Sequence, residues 1–271
     1  MCGILGWINL SSGNAFSSER STLGSMSETI AHRGPEDCGA AYFSDAAIAM
    51  TRLSIIDLEG GHQPMANDQK DCWIVLNGEI YNFQELRKEL EGKGYRFRTR
   101  SDTEVVLRAY EEWGDDCLNR LRGMFALAIY DSRSRNNGSA ECVANRSRLF
   151  LARDRLGKKP LYYYRDETRI IFGSEIKAIL AHPVVERSVR RDMLPLYLTY
   201  GYVPAPYTFF ENIYELPPGH KLVVQHGEVA VEQYWKLPPQ DVGTELSQEQ
   251  YVGRLRELFE DAVKVRLISD V

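Results

Sequence analysis

The residue with the clearest chemical potential is Cys2, the second residue of the sequence. A thiol is the best nucleophile among the side chains at neutral pH. Removal of Met1 would give Cys2 a free α-amine with a pKa of roughly 7.7–8, low enough for a useful fraction to act as a base. Cys2 could therefore supply both the nucleophile and the general base of a reaction. The alternative is a small, half-buried strand residue, because free cysteines often pack like hydrophobic side chains.

The remaining cysteines and the histidines form no metal or redox motif. The five cysteines are an odd number at wide spacing, and no two of them form CxxC. The five histidines form neither HxxxH nor HExxH. These patterns argue against a structural zinc site and against a disulfide framework, so the sequence predicts no bound metal.

The bulk properties predict a soluble globular protein. A hydrophobic share of 44% with 26% charged residues over 271 positions suits one large core or two smaller ones. The formal net charge of −5 gives no reason to expect nucleic acid or an anionic membrane as a partner. No apolar stretch is long enough to cross a bilayer, and no secretory signal opens the chain, so we expect a cytoplasmic location.

The elements that must position Cys2 are mainly short strands with a few helices between them. Apolar runs punctuated by glycine predict strands at 2–10, 46–58 and 71–81, and hairpins within 122–154 and 161–175. The polar segment 132–148 inside the first hairpin predicts an exposed loop that carries Cys142. Helices are predicted at 18–32, 83–95, 103–114, 176–183 and 248–267. Capping boxes are predicted for two of these helices, at Asn82 with Glu85 and at Ser247 with Gln250.

The character of the sequence changes after about Pro195. A proline-interrupted extended stretch leads into a hairpin with His226-Gly227 at its turn. The last helix then carries an apolar stripe on one face, which consists of Tyr251, Leu255, Leu258, Phe259, Ala262 and Val263. Because such a stripe needs a partner surface and the sequence stops soon after it, we expect a chain truncated within a second domain.

Seven segments follow the opening run CGILG in a defined order: HRGPE (32–36), RLSIIDL (52–58), NGEIYN (77–82), SDTE (101–104), RGMFA (122–126), RDRLGKKPLYY (153–163) and SEIKA (174–178). Together they resemble the glutaminase domain of glutamine-dependent asparagine synthetases, which are class II glutamine amidotransferases. The resemblance implies an α+β fold, the four-layer α/β/β/α sandwich of two antiparallel sheets found in N-terminal-nucleophile hydrolases. It also implies a glutaminase domain at 2–194, an extended connector and hairpin at 195–246, and the first helix of an ATP-dependent synthetase domain at 247–271.

The resemblance also implies a role for each of eight residues, all in the binding and hydrolysis of L-glutamine. Cys2 would be the nucleophile, and Asn77 and Gly78 would form the oxyanion hole. The substrate α-carboxylate would bind Arg52 in a pocket lined by Leu53 and Ile55, and the α-ammonium would bind Glu79 and Asp102. His32 lies in a matching segment but receives no role.

Simpler interpretations of these residues stay open. Asn77-Gly78 is a dipeptide typical of a tight turn after a strand, and Asp102 suits the cap of a helix. Arg52 could form a surface ion pair, and Leu53 and Ile55 could serve core packing alone.

The implied reaction is thiol attack on the glutamine amide, release of ammonia and hydrolysis of a γ-glutamyl thioester. The family uses the ammonia in a second domain, which converts aspartate to asparagine with Mg-ATP through an SGGxDS loop that this sequence lacks. The resemblance thus implies no cofactor for this chain, with the synthetase domain and a second copy in a homodimer as partners. Two alternatives remain: the same module serving a sugar phosphate or another acyl-adenylate, and a silent module that only binds glutamine or a partner protein.

Overall fold

The computed structural model describes residues 1–11, 19–133, 147–239, 246–267 and Asp270. Most of the predicted loop 132–148, including Cys142, lies outside the described residues. The strands within these ranges are β1 (Gly3–Asn9), β2 (Asp37–Tyr42), β3 (Ala46–Arg52), β4 (Met65–Ala66), β5 (Cys72–Ile80), β6 (Gly123–Asp131), β7 (Arg148–Arg153), β8 (Tyr162–Arg165), β9 (Arg169–Gly173), β10 (Ile213–Glu215), β11 (His220–Gln225) and β12 (Glu228–Gln233). The α-helices are α1 (Glu19–Thr29), α2 (Phe83–Gly92), α3 (Asp102–Trp113), α4 (Cys117–Arg120), α5 (Ile176–Leu180), α6 (Leu194–Tyr200) and α7 (Gln248–Lys264).

The strands form two six-stranded sheets in which neighbouring strands are antiparallel. The first sheet has the order β10-β8-β9-β1-β3-β2, and the second has the order β12-β11-β7-β6-β5-β4. One apolar core lies between the sheets, one between the first sheet and α1 and α5, and one between the second sheet and α2 and α3. The chain thus has the predicted α/β/β/α layers.

The position of Cys2 follows from the central place of β1 in the first sheet. All seven residues of β1 are buried, because β3 and β9 pair with it on either side. The strands approach so closely that a Cβ at Gly6 would lie 2.3 Å from the carbonyl oxygen of Ala47. The antiparallel register pairs Gly3 with Thr51. Cys2, directly before β1, therefore lies beside the end of β3.

The prediction of a strand over 46–58 is wrong beyond Arg52. The backbone leaves the sheet there, and Asp57 takes a left-handed conformation with a φ of 52°. The guanidinium of Arg52 folds back onto the carbonyl groups of this segment, which satisfies acceptors that a strand partner would otherwise bind. We refer to residues 53–61 as the pocket loop. β2, which pairs with β3 at the edge of the first sheet, was not predicted because its sequence DCGAAY contains few strand-favouring residues.

The interpretation of Asn77-Gly78 as a turn is also wrong. Both residues lie within β5, which pairs with β6 from Cys72 to Ile80 without interruption. A Cβ at Gly78 would lie 2.2 Å from the carbonyl oxygen of Met124. The glycine is therefore required by the close approach of β6 rather than by a turn.

The helix caps differ from the predictions at two of three positions. Ser247 forms the predicted capping box with Gln250 at the start of α7. Asn82 makes no capping hydrogen bond, because its side chain binds the backbone of Arg120 and Arg122 instead. The cap of α3 is Ser101, whose hydroxyl accepts a hydrogen bond from the backbone amide of Thr103. Asp102 is therefore the first residue of α3 and not its cap.

The segment predicted as a connector, 195–246, contributes strands to both sheets. β10 extends the first sheet beside β8, and β11 joins the second sheet beside β7. The predicted hairpin turn is confirmed, with positive φ angles of 54° at His226 and 77° at Gly227. The division of the chain at 194 and 246 stays a prediction. Within the described part of the chain, no helix has the length and apolar character needed to span a membrane.

Candidate active site

One cavity contains most of the residues that the sequence singled out. It has a volume of about 360 Å³, counting the space open to solvent. Seven of the eight predicted residues line it, namely Cys2, Arg52, Leu53, Ile55, Gly78, Glu79 and Asp102. The cavity is also lined by Met50, Ile56, Gln63, Leu76, Ser101 and Thr103, none of which was predicted. Asn77 is not among the lining residues, although it lies between two of them in β5.

The thiol of Cys2 is half-buried at the mouth of the core between the sheets. Its Sγ atom lies 3.4 Å from both the backbone nitrogen and the carbonyl oxygen of Leu53. Burial raises the pKa of the thiol, while the Leu53 amide and the positive charges of the Met1 amino terminus, Arg52 and Lys159 oppose the rise. The net pKa is above the ordinary value, so the thiol is protonated at neutral pH and needs a base to become a strong nucleophile.

A buried arginine holds the backbone of Cys2. The Nε atom of Arg33 donates to the Cys2 carbonyl oxygen at 2.9 Å, and its Nη1 atom donates to Glu175 at 2.9 Å. His32 contacts the same carboxylate at 2.9 Å, with its own side chain 55% exposed. The cationic neighbours hold the pKa of Glu175 at about 2 against the opposing effect of burial. His32 and Arg33 therefore belong to an ion-pair cluster that fixes the chain at Cys2.

The guanidinium of Arg52 is buried and faces the pocket loop. It donates to the carbonyl oxygens of Ile56 at 3.1 Å, Asp57 at 2.8 Å and Leu58 at 3.2 Å. A Cβ at Gly61 would lie 2.2 Å from Nη2, so the glycine leaves room for the guanidinium. Among the residues that the structure describes, no carboxylate lies within ion-pair distance of Arg52. The positive charge is thus available to an anion in the cavity.

Asn77 has a buried side chain whose amide is unsatisfied. Neither Oδ1 nor Nδ2 has a hydrogen-bond partner among the described residues, although the residue is only 1% exposed. Alternation along β5 places the side chain on the same face as Val75, which packs between the two sheets where Cys2 lies. An unpaired buried amide costs about 1–3 kcal/mol. Such a cost is typical of a group that is retained for function.

Two carboxylates line the cavity, Glu79 on β5 and Asp102 at the start of α3. Asp102 is 5% exposed, and its Oδ2 atom accepts a hydrogen bond from the Ile80 amide at 2.9 Å. Burial raises the pKa of the Asp102 carboxyl to about 6, and the charge of Glu79 adds to the rise, against hydrogen bonds from backbone amides. The pair therefore favours binding of a cation, whose charge would offset the cost of burying the Asp102 carboxylate and its repulsion from Glu79.

Gln63 joins the elements that carry these groups, a role that the sequence patterns did not reveal. Its Oε1 atom accepts from the Leu76 amide at 2.7 Å, and its Nε2 atom donates to the Thr103 hydroxyl at 3.0 Å. The side chain thus links β5 to the first turn of α3. In the sequence, only the position of Gln63 before Pro64 in a short loop marks it. That feature is too weak to distinguish it from other loop residues.

The motif RDRLGKK forms a turn next to the site. The buried carboxylate of Asp154 accepts hydrogen bonds from the backbone amides of Phe125, Leu156, Lys158 and Lys159 at 3.0–3.1 Å. This turn fixes the end of β7 against β6, so the motif is a scaffold element. No cluster of three or more potential metal ligands occurs in the part of the chain that the structure describes.

The fold and the site define the class of protein. A family model described as the glutamine amidotransferase domain matches residues 1–235, and the chain belongs to this family. The sequence is 39% identical over 274 residues to asparagine synthetase [glutamine-hydrolyzing] 3 of Bacillus subtilis, with 100% of this chain and 42% of that protein covered. It is 34% identical over 272 residues to asparagine synthetase B [glutamine-hydrolyzing] of Escherichia coli, with 100% and 41% covered. The chain spans about two fifths of the length of these relatives.

Solved structures share the fold at low sequence identity. The glutamine phosphoribosylpyrophosphate amidotransferase of Bacillus subtilis, in complex with ADP and GMP, matches with a TM-score of 0.57 at 18% identity. The match covers 86% of this chain and 49% of that one. The predicted N-terminal-nucleophile hydrolase fold is confirmed by this likeness together with the two antiparallel sheets.

Proposed function

We propose that this chain hydrolyses L-glutamine to L-glutamate and ammonia through a thioester on Cys2. The observation that carries the proposal is the cavity, which brings a thiol, a guanidinium without an acidic neighbour among the described residues, and two carboxylates to one place. These groups come from the residue before β1 and from β3, β5 and α3. A free amino acid is a zwitterion whose two charges match this arrangement of fixed charges.

The charges of the cavity suggest how glutamine would bind. The α-carboxylate pairs with Arg52, and the α-ammonium pairs with Glu79 and Asp102. Leu53 and Ile55 line the space for the aliphatic part of the substrate. Once both charged ends are held, the side-chain amide is directed toward Cys2.

The proposed chemistry begins after removal of Met1, when the α-amine of Cys2 takes the Sγ proton as Sγ attacks the amide carbon. The amide of Asn77 and the backbone N–H of Gly78 donate to the developing oxyanion. Collapse of the tetrahedral intermediate breaks the C–N bond, and the leaving nitrogen takes the proton and departs as ammonia. Water then attacks the thioester, which releases glutamate and restores the thiol.

This activity is tested by glutamate release from glutamine, with Met1 removal verified by mass spectrometry. The matched control is the same chain with Met1 retained, in which the Cys2 nitrogen is an amide and cannot act as a base. We expect turnover in the matured chain and a loss of at least about 10²-fold in the control, the usual contribution of a general base. Absence of turnover in the matured chain, with glutamine binding preserved, would favour a silent binding module.

The KM for glutamine is expected to depend on pH through Asp102. Its carboxyl has a pKa of about 6, so below that pH the protonated form no longer attracts the α-ammonium, and KM should rise by about tenfold per pH unit. Because the folded pKa lies above the unfolded value of 3.8, the same group lowers folding stability as pH rises from about 4 to 6 and has no further effect above that. Kinetics at pH 5–8 on the matured chain and on Asp102→Asn check this. A KM profile in the variant that still rises below pH 6 would contradict the assignment.

We also propose that the full protein delivers the ammonia to aspartate in an ATP-dependent synthesis of asparagine, because the relatives carry the name asparagine synthetase. Mg-ATP would bind the additional domain that those longer relatives contain. The apolar side chains of α7 are exposed here, including Leu255 at 69% and Phe259 at 68%. That domain is their proposed partner. The homodimer and the glutaminase module with another acceptor stay predictions, and asparagine formation by a full-length protein with ATP, aspartate and glutamine distinguishes the acceptors.

A further inference from the structure

We propose that Asp270 is a positioning residue for the glutamine pocket and links its loop to the segment after α7, an inference that rests on the function proposed for the cavity. Two hydrogen bonds carry the proposal. The backbone amide of Asp57 donates to the Asp270 carboxylate at 2.8 Å, and the backbone amide of Asp270 donates to the Ile55 carbonyl at 3.1 Å. A residue more than two hundred positions away in the sequence thus binds the pocket loop at two residues, Ile55 and Asp57.

The shape of the pocket loop depends on a small number of hydrogen bonds. Arg52 binds three of its carbonyl groups, and the Asp57 carboxylate accepts from the amides of Gly60 and Arg100. Asp57 itself has a positive φ, a conformation that a residue with a side chain holds only when its surroundings impose it. Asp270 supplies one further acceptor and one further donor to this network.

The loop position matters for the substrate because one of the two bonds is made to Ile55, which lines the cavity, and the other to Asp57, two residues further along the loop. Leu53, Ile55 and Ile56 line the cavity, and Leu53 also contacts the Cys2 thiol. A shift of Ile55 would move the Arg52 guanidinium, whose three acceptors lie directly after it. Loss of the Asp270 contact should therefore weaken glutamine binding before it affects the chemistry at the thiol.

The other end of the link is α7. Asp261 accepts a hydrogen bond from Arg122 at 2.5 Å, and the Arg266 guanidinium lies 4.5 Å from the centre of the Tyr81 ring. Asp261 and Arg266 thus contact residues directly beside β5 and β6, and Asp270 contacts the pocket loop. A displacement of α7 would be transmitted to Ile55 and Asp57 through Asp270. This gives the glutamine pocket a physical connection to whatever α7 packs against.

Asp270→Ala, Asp270→Asn and the control Glu260→Ala test the proposal in the full chain. Glu260 is an exposed carboxylate on α7, so its loss changes the net charge by the same amount. We expect Asp270→Ala to raise the KM for glutamine by about tenfold with kcat within about twofold, as suits the loss of a charge-assisted hydrogen bond. Asp270→Asn keeps an oxygen acceptor and should restore KM to within about threefold of the wild type, and Glu260→Ala should not change it.

The dissociation constant of glutamine, measured by calorimetry in the Cys2→Ala background, separates this proposal from the proposed function. If the matured wild type releases no glutamate, the glutaminase is overturned, while a tenfold weaker binding on addition of Asp270→Ala still supports the link. Unchanged KM and dissociation constant in Asp270→Ala overturn the link even when turnover is normal. Equal losses in Asp270→Ala and Asp270→Asn, or a fall in kcat alone, overturn it as well.

Discussion

Replacement of Cys2 by alanine is expected to abolish glutamine hydrolysis, with a loss of at least about 10⁴-fold in kcat, the scale seen when a covalent nucleophile is removed. The reason is that no thioester can form without Sγ, and the charges of Arg52, Glu79 and Asp102 only bind the substrate. Glutamine binding should persist, because none of these charges is altered. The measurement is glutamate release, with binding followed by calorimetry.

Cys38→Ala is the matched control for this experiment. Cys38 is a free, exposed cysteine on β2 and does not line the cavity, so its removal also deletes one thiol but leaves the lining residues in place. It should retain full turnover. Glutamate release by the Cys2→Ala protein above the uncatalysed rate would contradict the nucleophilic role and move the reaction to another group.

Replacement of Asn77 by alanine is expected to lower kcat by between about 10² and 10³, the usual cost of one oxyanion-hole donor, with little change in KM. The same substitution should also affect the stability of the folded state. The side-chain amide makes no hydrogen bond among the described residues, so its removal breaks none and relieves a buried, unsatisfied group. We therefore expect the free energy of unfolding to stay the same or to rise. Steady-state kinetics and urea unfolding measure the two parts.

Asn67→Ala provides the opposite control. Asn67 is 2% exposed, and its amide binds Asp71, Cys72 and Glu111 at 2.7–3.2 Å. Its loss should lower the free energy of unfolding by about 1–3 kcal/mol and leave kcat unchanged in the folded protein. A large loss of stability in Asn77→Ala without a loss of kcat would assign that residue to the core instead of the oxyanion hole.

Where the sequence failed, the cause was a specific hydrogen bond that local propensity does not reveal. The run 53–58 is apolar enough for a strand, but Arg52 binds its carbonyl groups and Asp270 binds the Asp57 amide. The Asn82 side chain has the composition of a cap, yet the backbone of Arg120 and Arg122 competes for it. Local propensity is a weak preference, and a few tertiary hydrogen bonds outweigh it.

The sequence by itself determined the alternation of strands and helices, the hairpins, the capping box of α7 and, through resemblance, the family and the residues proposed for the site. Only the tertiary structure decided that seven of those residues line one cavity. That depends on the register that sets Gly3 against Thr51, and so on which end of β1 meets which end of β3. It also decided the raised pKa of Asp102, the unpaired amide of Asn77 and the link from Asp270. Burial and long-range pairing arise only when the chain has folded, because they depend on neighbours that lie far away in the sequence.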